Sequence, residues 1–456
     1  MVIILACCIV TMIMTPKQTL IPIWLLCAAM LRATALQAAT TVTNIAGCYH
    51  TLFLKSDGSL WGMGGNDVGQ LGDGTSRVGN IVNYTNRPEL IVSNGVVAIS
   101  AGNSHTLFVK SDGSLWGMGD NSAGELGDGT TNQVITPEQI IPNGVTAVAA
   151  GTQYSLFLKS GGSLWAMGMN ISGQLGDGTF NNTNRPEQII SGGVTAIAAG
   201  WDQSLFLKSD GSLWGMGGVL NATTNQPEQI VSNEVTAIAI GKHDRSLFLK
   251  SGGTLWSMAI NSGPQLVVSS NVISVACGSE HGLFLKSDGS LWALGSDDSG
   301  QLGNGIIEDA TFPPMQIVSN GVVAVAAGAQ HSLFIKSDGS LWGMGLAGDG
   351  ELGDGFYGTT NWQQSISSVP EQIVPPPRPL LTGISISSKT NLQFKATCLF
   401  GGKYCLLSST YLAQQLNQWK PVWTNSVIAR GTNNFTAMLT NAVNSSASQF
   451  YILQSQ

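Results

Sequence analysis

The chain has 456 residues, 43% hydrophobic and 10% charged, with 57 Gly, 12 Trp and a net charge of −7. High apolar content with low net charge excludes a disordered chain, and Gly near twice its usual ~7% opposes helical bundles and coiled coils. Between Thr40 and Val374 stand 12 Lys and Arg against 27 Asp and Glu, whereas Pro375–Gln456 holds six bases and no acid, so the main body repels phosphate backbones and excludes nucleic acid as its partner.

Residues 1–39 read as a targeting segment. Two apolar runs, Val2–Met14 and Leu20–Leu31, flank Lys17, and Ala33-Thr34-Ala35 and Ala38 follow. A positive end, an apolar core and small residues at a cleavage site are the order of a secretory signal peptide. Read from Met12 or Met14, the order is complete. Neither run reaches the roughly 18 residues of a membrane span. Cleavage is therefore expected over an uncleaved anchor, leaving no membrane span, and Leu26 before Cys27 argues against a bacterial lipoprotein signal.

Residues 40–374 are seven copies of one unit. Leu-Trp recurs at Trp61, Trp116, Trp165, Trp214, Trp256, Trp292 and Trp342, spaced by 55, 49, 49, 42, 36 and 50 residues. Val194–Gly217, VTAIAAGWDQSLFLKSDGSLWGMG, is typical. Asp210-Gly211, or Gly161-Gly162 in another copy, joins two β-prone runs, a strong hairpin signal. Taken as a two-residue tip, it sets Leu207 opposite Trp214, Phe206 opposite Gly215 and Leu205 opposite Met216. Both hairpin faces are apolar, so sheets must stack against both, as blades do in a propeller. Ala196–Ala199 and Glu228–Val231 supply two more strands, and four strands in each of seven copies make an all-β, seven-bladed propeller. The first copy has no Pro-Glu-Gln-Ile strand before it and the last ends in one, Pro370–Val374. That strand is expected to complete the blade holding Trp61, removing free edges. Cys48 and Cys277 occupy repeat slots and read as small buried residues.

These motifs resemble the regulator of chromosome condensation repeat family: Gly102–His105 and Gly328–His331, the Asp-Gly hairpin, the Gly after Trp, and Gly124-Glu125-Leu126-Gly127-Asp128-Gly129. The resemblance covers about residues 42–374 and implies a seven-bladed propeller. It also implies two functions: guanine-nucleotide exchange on a small GTPase, as in the eukaryotic namesake, or partner binding through loops on one face, as in secreted bacterial relatives. Blades four and five depart from the pattern, since Gly217–Gln226 and Ala259–Pro264 lack the Gly-Gln-Leu-Gly-Asp-Gly segment. Export and an acidic propeller also separate this chain from the namesake.

All five histidines, His50, His105, His243, His281 and His331, lie in or beside one repeat slot, where other copies carry Tyr154 and Gln203. A slot that accepts Tyr or Gln serves hydrogen bonding and packing, and no His is left for general-base work, a triad or a zinc site. Asp73, Asp128, Asp177, Asp354 and Asn304 read as turn residues that bond their own backbone, ahead of calcium ligands. Lys55, Lys110, Lys159, Lys208, Lys250, Lys286 and Lys336 read as hairpin-tip residues near Asp57, Asp112 or Asp210, ahead of an anion-binding ring. Met63, Met118, Met167, Met216, Met258 and Met344 read as core filling. Asp297-Asp298, Glu308 and Asp309 are the carboxylates a glycosidase would draw on, with no spacing that pairs them. The expectation is no enzyme, no cofactor and no metal.

The longest departures from the repeat, Thr75–Asn86 and Phe356–Val369, become neighbours when the ring closes. They carry Arg77, Tyr84, Phe356, Tyr357 and Trp362, the candidate partner-binding residues, because loops on a rigid scaffold are where recognition sits. Residues 375–379 are a stiff Pro-rich linker. Residues 380–456 read as a small β-sandwich-like module, similar through Tyr404–Trp419 to the terminal domain of large secreted bacterial repeat proteins. Cys398 and Cys405 sit symmetrically about Gly401-Gly402, which sets them across a hairpin where a disulfide is one outcome. The reading is an exported, non-catalytic bacterial binding scaffold at the cell surface, in the periplasm or outside, gripping a protein or glycan.

Overall fold

A computed structural model describes residues 5–7, 40–78, 83–219, 222–241, 246–259, 262–355 and 366–375, and the C-terminal strands 380–388, 391–398, 403–409, 420–426, 433–439 and 449–455. Two units divide the chain: Val42–Pro375, and Met1–Thr41 with Pro376–Gln456. The larger is a seven-bladed propeller. Each blade is a four-stranded antiparallel meander contiguous in sequence, such as Val194–Ala199, Gln203–Lys208, Leu213–Val219 and Ala222–Val231. Among the described residues no helix is long and apolar enough to cross a membrane.

The hairpin register differs from the two-residue expectation by one residue. Phe206 pairs with Trp214, Leu205 with Gly215 and Leu207 with Leu213. The loop is Ser209-Asp210-Gly211, closed by Lys208 N–H on the Ser212 carbonyl at 3.0 Å, and only Gly211 takes positive φ (79°). Asp210 instead turns its carboxylate inward to accept the Ser212 amide at 2.9 Å and the Ser212 hydroxyl. Ser212 Oγ then accepts Trp214 Nε1–H at 2.8 Å. Asp-Gly thus marks a three-residue loop, with Gly in the left-handed position.

The corrected register places Phe and Trp on one face. Their rings stack in all seven blades, 5.9–6.3 Å apart and within 17° of parallel. The opposite face, Leu205, Leu207 and Leu213, packs onto Phe248, Met258 and Trp256 of the next blade. The repeat lysine lies over the outer side of each Trp. Its Nζ sits 3.8–4.0 Å from the ring centre in the five copies with Asp at the tip. In the two Gly-Gly copies the distance is 4.4 and 5.3 Å. The tip carboxylate draws the ammonium inward, and the ring's negative face holds it.

Ring closure is also a correction. Ile366–Val374 pairs with Leu341–Leu346 of its own copy, and the blade holding Trp61 has its own outer strand, Tyr84–Val92. No strand is exchanged, because every outer strand follows its own Trp strand and none is spare. Closure repeats the contacts made at other junctions. Val42 N–H reaches Gly339 O at 3.3 Å as Val96 N–H reaches Gly58 O at 3.0 Å. Val42, Ile45 and Phe53 pack against Leu333, Ile335 and Leu341.

In the second unit, Leu380–Ser388, Asn391–Cys398 and Asn433–Leu439 form one antiparallel sheet. Leu5–Cys7, Gln449–Ser455, Lys403–Ser409 and Lys420–Ser426 form another. The Cys398/Cys405 hairpin is not formed: Cys398 pairs with Asn433, and Cys405 with Thr424 and Gln454, so the two lie on strands of different sheets.

Candidate functional site

One end of the propeller carries the Gly-x-x-His turns and the loops after the Trp strands, which are long in every blade but four and five. A latch joins them. His50 Nε2 lies 2.8 Å from the Thr106 hydroxyl of the next blade, and that hydroxyl donates to Gln70 O at 2.7 Å. The same relay runs from His105 to Ser155 and Glu125 O, and from His281 to Ser332 and Gln301 O. His331 closes the ring on Thr51 at 3.0 Å. Thr106, Ser155 and Ser332 each give their one proton to a carbonyl, so His50, His105 and His281 must donate from Nε2 and their Nδ1 is the bare nitrogen. For His50, His105 and His281 that Nδ1 is buried without a partner. Protonating it would bury an unbonded N–H, and burial holds these histidines down, His50 and His331 to about 3 and His105 and His281 to about 4. They do not act as bases near neutral pH. Tyr154 serves the same slot, donating to Gln203 O and accepting Gly200 N–H at 3.0 Å. His243 lies outside the described residues.

The loops are built from their own side chains. Asn66 accepts Leu71 N–H at 3.0 Å and donates to Asp73 at 3.0 Å, and Asp73 accepts Thr75 N–H at 2.8 Å. Asn121 with Asp128, and Asn170 with Asp177, repeat this. These aspartates are turn residues. Blade six exchanges the pair, with Asp297 in the Asn slot accepting Leu302 N–H at 2.9 Å and Asn304 in the Asp slot. Asp297 is buried, and Glu308, its register partner, is exposed. Among the described residues no three His, Cys, Asp or Glu are placed to hold a metal ion.

Two residues of this region carry chemistry that sequence reasoning passed over. Gln70, Gln174 and Gln301 accept a backbone N–H two residues earlier, at 2.8–3.1 Å. Glu125 and Glu351 occupy that slot in blades two and seven and make the same bond at 2.9 Å. Both are buried, and burial raises Glu125 to about 7 and Glu351 to about 8. Glu in a slot held by Gln elsewhere is the signal that was available. These pKa values lie above the usual 4.5, so the folded chain keeps protons the unfolded chain has lost. Their stabilisation is full below pH 4.5 and is lost as pH rises to about 7–8. Glu125→Gln and Glu351→Gln are expected to leave stability unchanged near pH 4.5 and to raise it by roughly 2–4 kcal/mol each at pH 8.5. Denaturant midpoints at the two pH values check this.

Of the predicted recognition residues, Arg77 donates its main-chain N–H to Asp67 O at 2.8 Å, and its guanidinium lies 3.8 Å from Asp67 Oδ2. Tyr84 opens the outer strand of blade one opposite Gly65. Phe356, Tyr357 and Trp362 lie outside the described residues. Gly355 N–H donates to Asn86 O at 3.0 Å, as Gly129 N–H does to Asn184 O at 2.8 Å at another junction, so blades seven and one are neighbours. The charge of Asp67 adds to burial in raising Asp349 of the blade-seven loop. The face is acidic, with Asp67, Asp120, Asp202, Glu280, Asp298 and Asp349 in its turns and loops, while the repeat lysines lie at the other end of their strands over Trp.

Profiles of the regulator of chromosome condensation (RCC1) repeat match residues 96–125, 145–174, 272–301 and 322–351, and 57–109, 112–158, 161–207 and 288–335. Together they cover just over half of the chain. Protein RCC2 homolog of Danio rerio is 34% identical over 89 residues, 19% of this chain and 17% of that protein. Protein RCC2 of Homo sapiens is 35% identical over 99 residues, 21% and 18% of the two chains. The matched stretch thus spans less than a fifth of either relative. The crystal structure of human WBSCR16 superposes with a TM-score of 0.58 at 24% identity, covering 66% of this chain and 88% of that one, a likeness of fold. With the repeat in both profile and coordinates, the chain belongs to the regulator of chromosome condensation (RCC1) repeat family.

Proposed function

We propose that this chain is an exported, non-catalytic scaffold that holds a protein partner with a basic surface on the loop face of its propeller. The observation that carries this is the division of charge between the two ends of the blades. Carboxylates are in excess on the loop face, while at the other end the repeat lysines, held against Trp rings, offset the tip aspartates Asp57, Asp112, Asp210, Asp288 and Asp338. A concentrated field of one sign steers and orients an oppositely charged partner. The loops sit on sheets stacked through fully buried Phe rings, so little is lost in ordering them on binding. The described latch histidines are buried and committed to hydrogen bonds between blades, which supports a structural role for them. Nucleotide exchange on a small GTPase, suggested by the family, is the second reading.

A lysine-rich peptide titrated against the full chain is expected to bind at low salt, to weaken about tenfold at high salt, and to weaken again in the Asp67→Asn, Asp349→Asn double variant. Equal affinity for an acidic peptide would sink the proposal. Export is checked by mass spectrometry of the N-terminus in the extracellular fraction, where a start beyond Ala35 or Ala38 is expected. GTPase nucleotide release catalysed by the chain would favour the second reading.

A further inference from the structure

The Gly-x-x-His turns converge on the propeller axis and enclose a cavity of about 250 Å³. Its floor is apolar, made of residues such as Ala101, Ala150 and Ile240, and above it lies a collar of glycines that includes Gly151, Gly278 and Gly328. The glycines are required by the latch. A Cβ on Gly151 would stand 2.7 Å from Tyr154 Cδ1, and one on Gly278 would stand 2.6 Å from His281 Nδ1. Rings packed under the collar keep it free of side chains, so the axis stays open. Hydrogen bonds hold the collar from turn to turn: Asn103 N–H to Gly151 O at 3.2 Å, Thr152 N–H to Gly200 O at 3.1 Å and Ala329 N–H to Cys48 O at 2.9 Å.

The mouth carries Cys48, Tyr49, Asn103, Thr152, Trp201 and Ser279. Cys48 and Cys277 are half-buried against this cavity, where the sequence suggested full burial. Trp201 is 38% exposed, a large value for an indole. Tyr49 belongs to blade one and Trp201 to blade four, so they flank the mouth from opposite sides of the ring. An amide and two hydroxyls stand between them. None of the described lining side chains has a formal charge at neutral pH: burial pushes the Cys277 thiol up to about 12, and burial also raises Tyr49.

We infer that the axial mouth binds a neutral sugar residue, such as the end of a glycan. A sugar ring offers an apolar C–H face to an aromatic side chain and hydroxyls to amides and hydroxyls. A wholly apolar ligand would strand Asn103, Thr152 and Ser279, at roughly 1–3 kcal/mol for each buried group. Among the described lining side chains none offers an ion a counter-charge. The volume falls below the ~300–1,000 Å³ of sites for drug-sized ligands and suits one ring. The lining does not include Asp67 or Asp349, and the site does not rest on the protein-binding proposal.

The test titrates the full chain with glucose, galactose, mannose and N-acetylglucosamine, and with glucuronic acid and glucosamine as charged controls, read by saturation-transfer NMR and calorimetry. Saturable binding of a neutral sugar is expected, weakened at least tenfold by Trp201→Ala and by Asn103→Ala, and unchanged in the Asp67→Asn, Asp349→Asn double variant. Thermal midpoints within about 2 °C of the parent show that the variants fold. Absence of saturation by any neutral sugar up to about 10 mM, preference for a charged control, or full binding by folded Trp201→Ala would each overturn the inference.

Discussion

The propeller is expected to unfold in acid as pH falls from 6.5 towards 4.5, driven by its latch histidines. His50, His105, His281 and His331 are held at about 3–4 in the fold against an ordinary 6.5. Below pH 6.5 the unfolded chain binds protons that the folded chain refuses. Stability is therefore complete above 6.5 and is lost as pH falls towards the folded values. Four groups at ~1.4 kcal/mol per unit give about 5 kcal/mol per pH unit, so two units remove on the order of 10 kcal/mol, comparable to the ~5–15 kcal/mol of a typical domain. Asp120 beside His105 and Asp298 beside His281 oppose the shift, but burial outweighs them. Glu125 and Glu351 slope the other way above pH 4.5 and offset about half of this, leaving a net loss of about 5 kcal/mol over the two units. The maximum should fall near pH 6.5. Denaturant midpoints from pH 4 to 8.5 read the curve. His331→Gln should flatten the acid limb by one proton, since Gln203 already fills this slot in blade four. An identical midpoint at pH 5 and pH 7, or an unchanged slope in the variant, would show that the imidazoles titrate normally.

Phe108→Ala is expected to cost about 3–5 kcal/mol. The ring is fully buried, stacks on Trp116 at 6.1 Å, and packs into Leu52, Leu54 and Leu60 of the preceding blade. Truncation opens a cavity between two sheets rather than at an edge, and neither sheet can collapse into it while both are tied into the ring. The midpoint should fall by on the order of 10 °C, with Phe108→Leu recovering most of the loss. Lys110, 3.9 Å over the same Trp, provides the comparison. Its contact is worth only about 0.5–1 kcal/mol at a partly exposed site, so Lys110→Ala should move the midpoint slightly. Equal losses from the two variants would mean that the stack, not the inter-blade core, carries the junction.

Part of the candidate site was legible in the chain and part was not. The Gly-x-x-His slot announced its architectural role through Tyr154 and Gln203, substitutes that can bond but cannot share imidazole chemistry. Arg77 and Tyr84, read as recognition residues, lie on the loop and outer strand of blade one against Asp67 and opposite Gly65. Glu125 was hidden by its surroundings, because an acid in a surface-type loop motif reads as solvated until its fold buries it. The axial mouth was equally hidden. Its lining comes two or three residues per blade, from Gly-x-x-His turns tens of residues apart, and only closure of the ring brings them to one axis.

The strands, their sevenfold count, the hairpins and the aromatic rows were set by the sequence alone, because period-two apolar patterning and turn glycines act between near neighbours. Tertiary structure decided the rest: the one-residue register at each tip, the blade joined by the last strand, the placing of Cys398 and Cys405 on different sheets, and the excess of carboxylates on one end. Those outcomes depend on which side chains must clear one another when sheets hundreds of residues apart are pressed into a closed ring. A local pattern carries no information about that geometry.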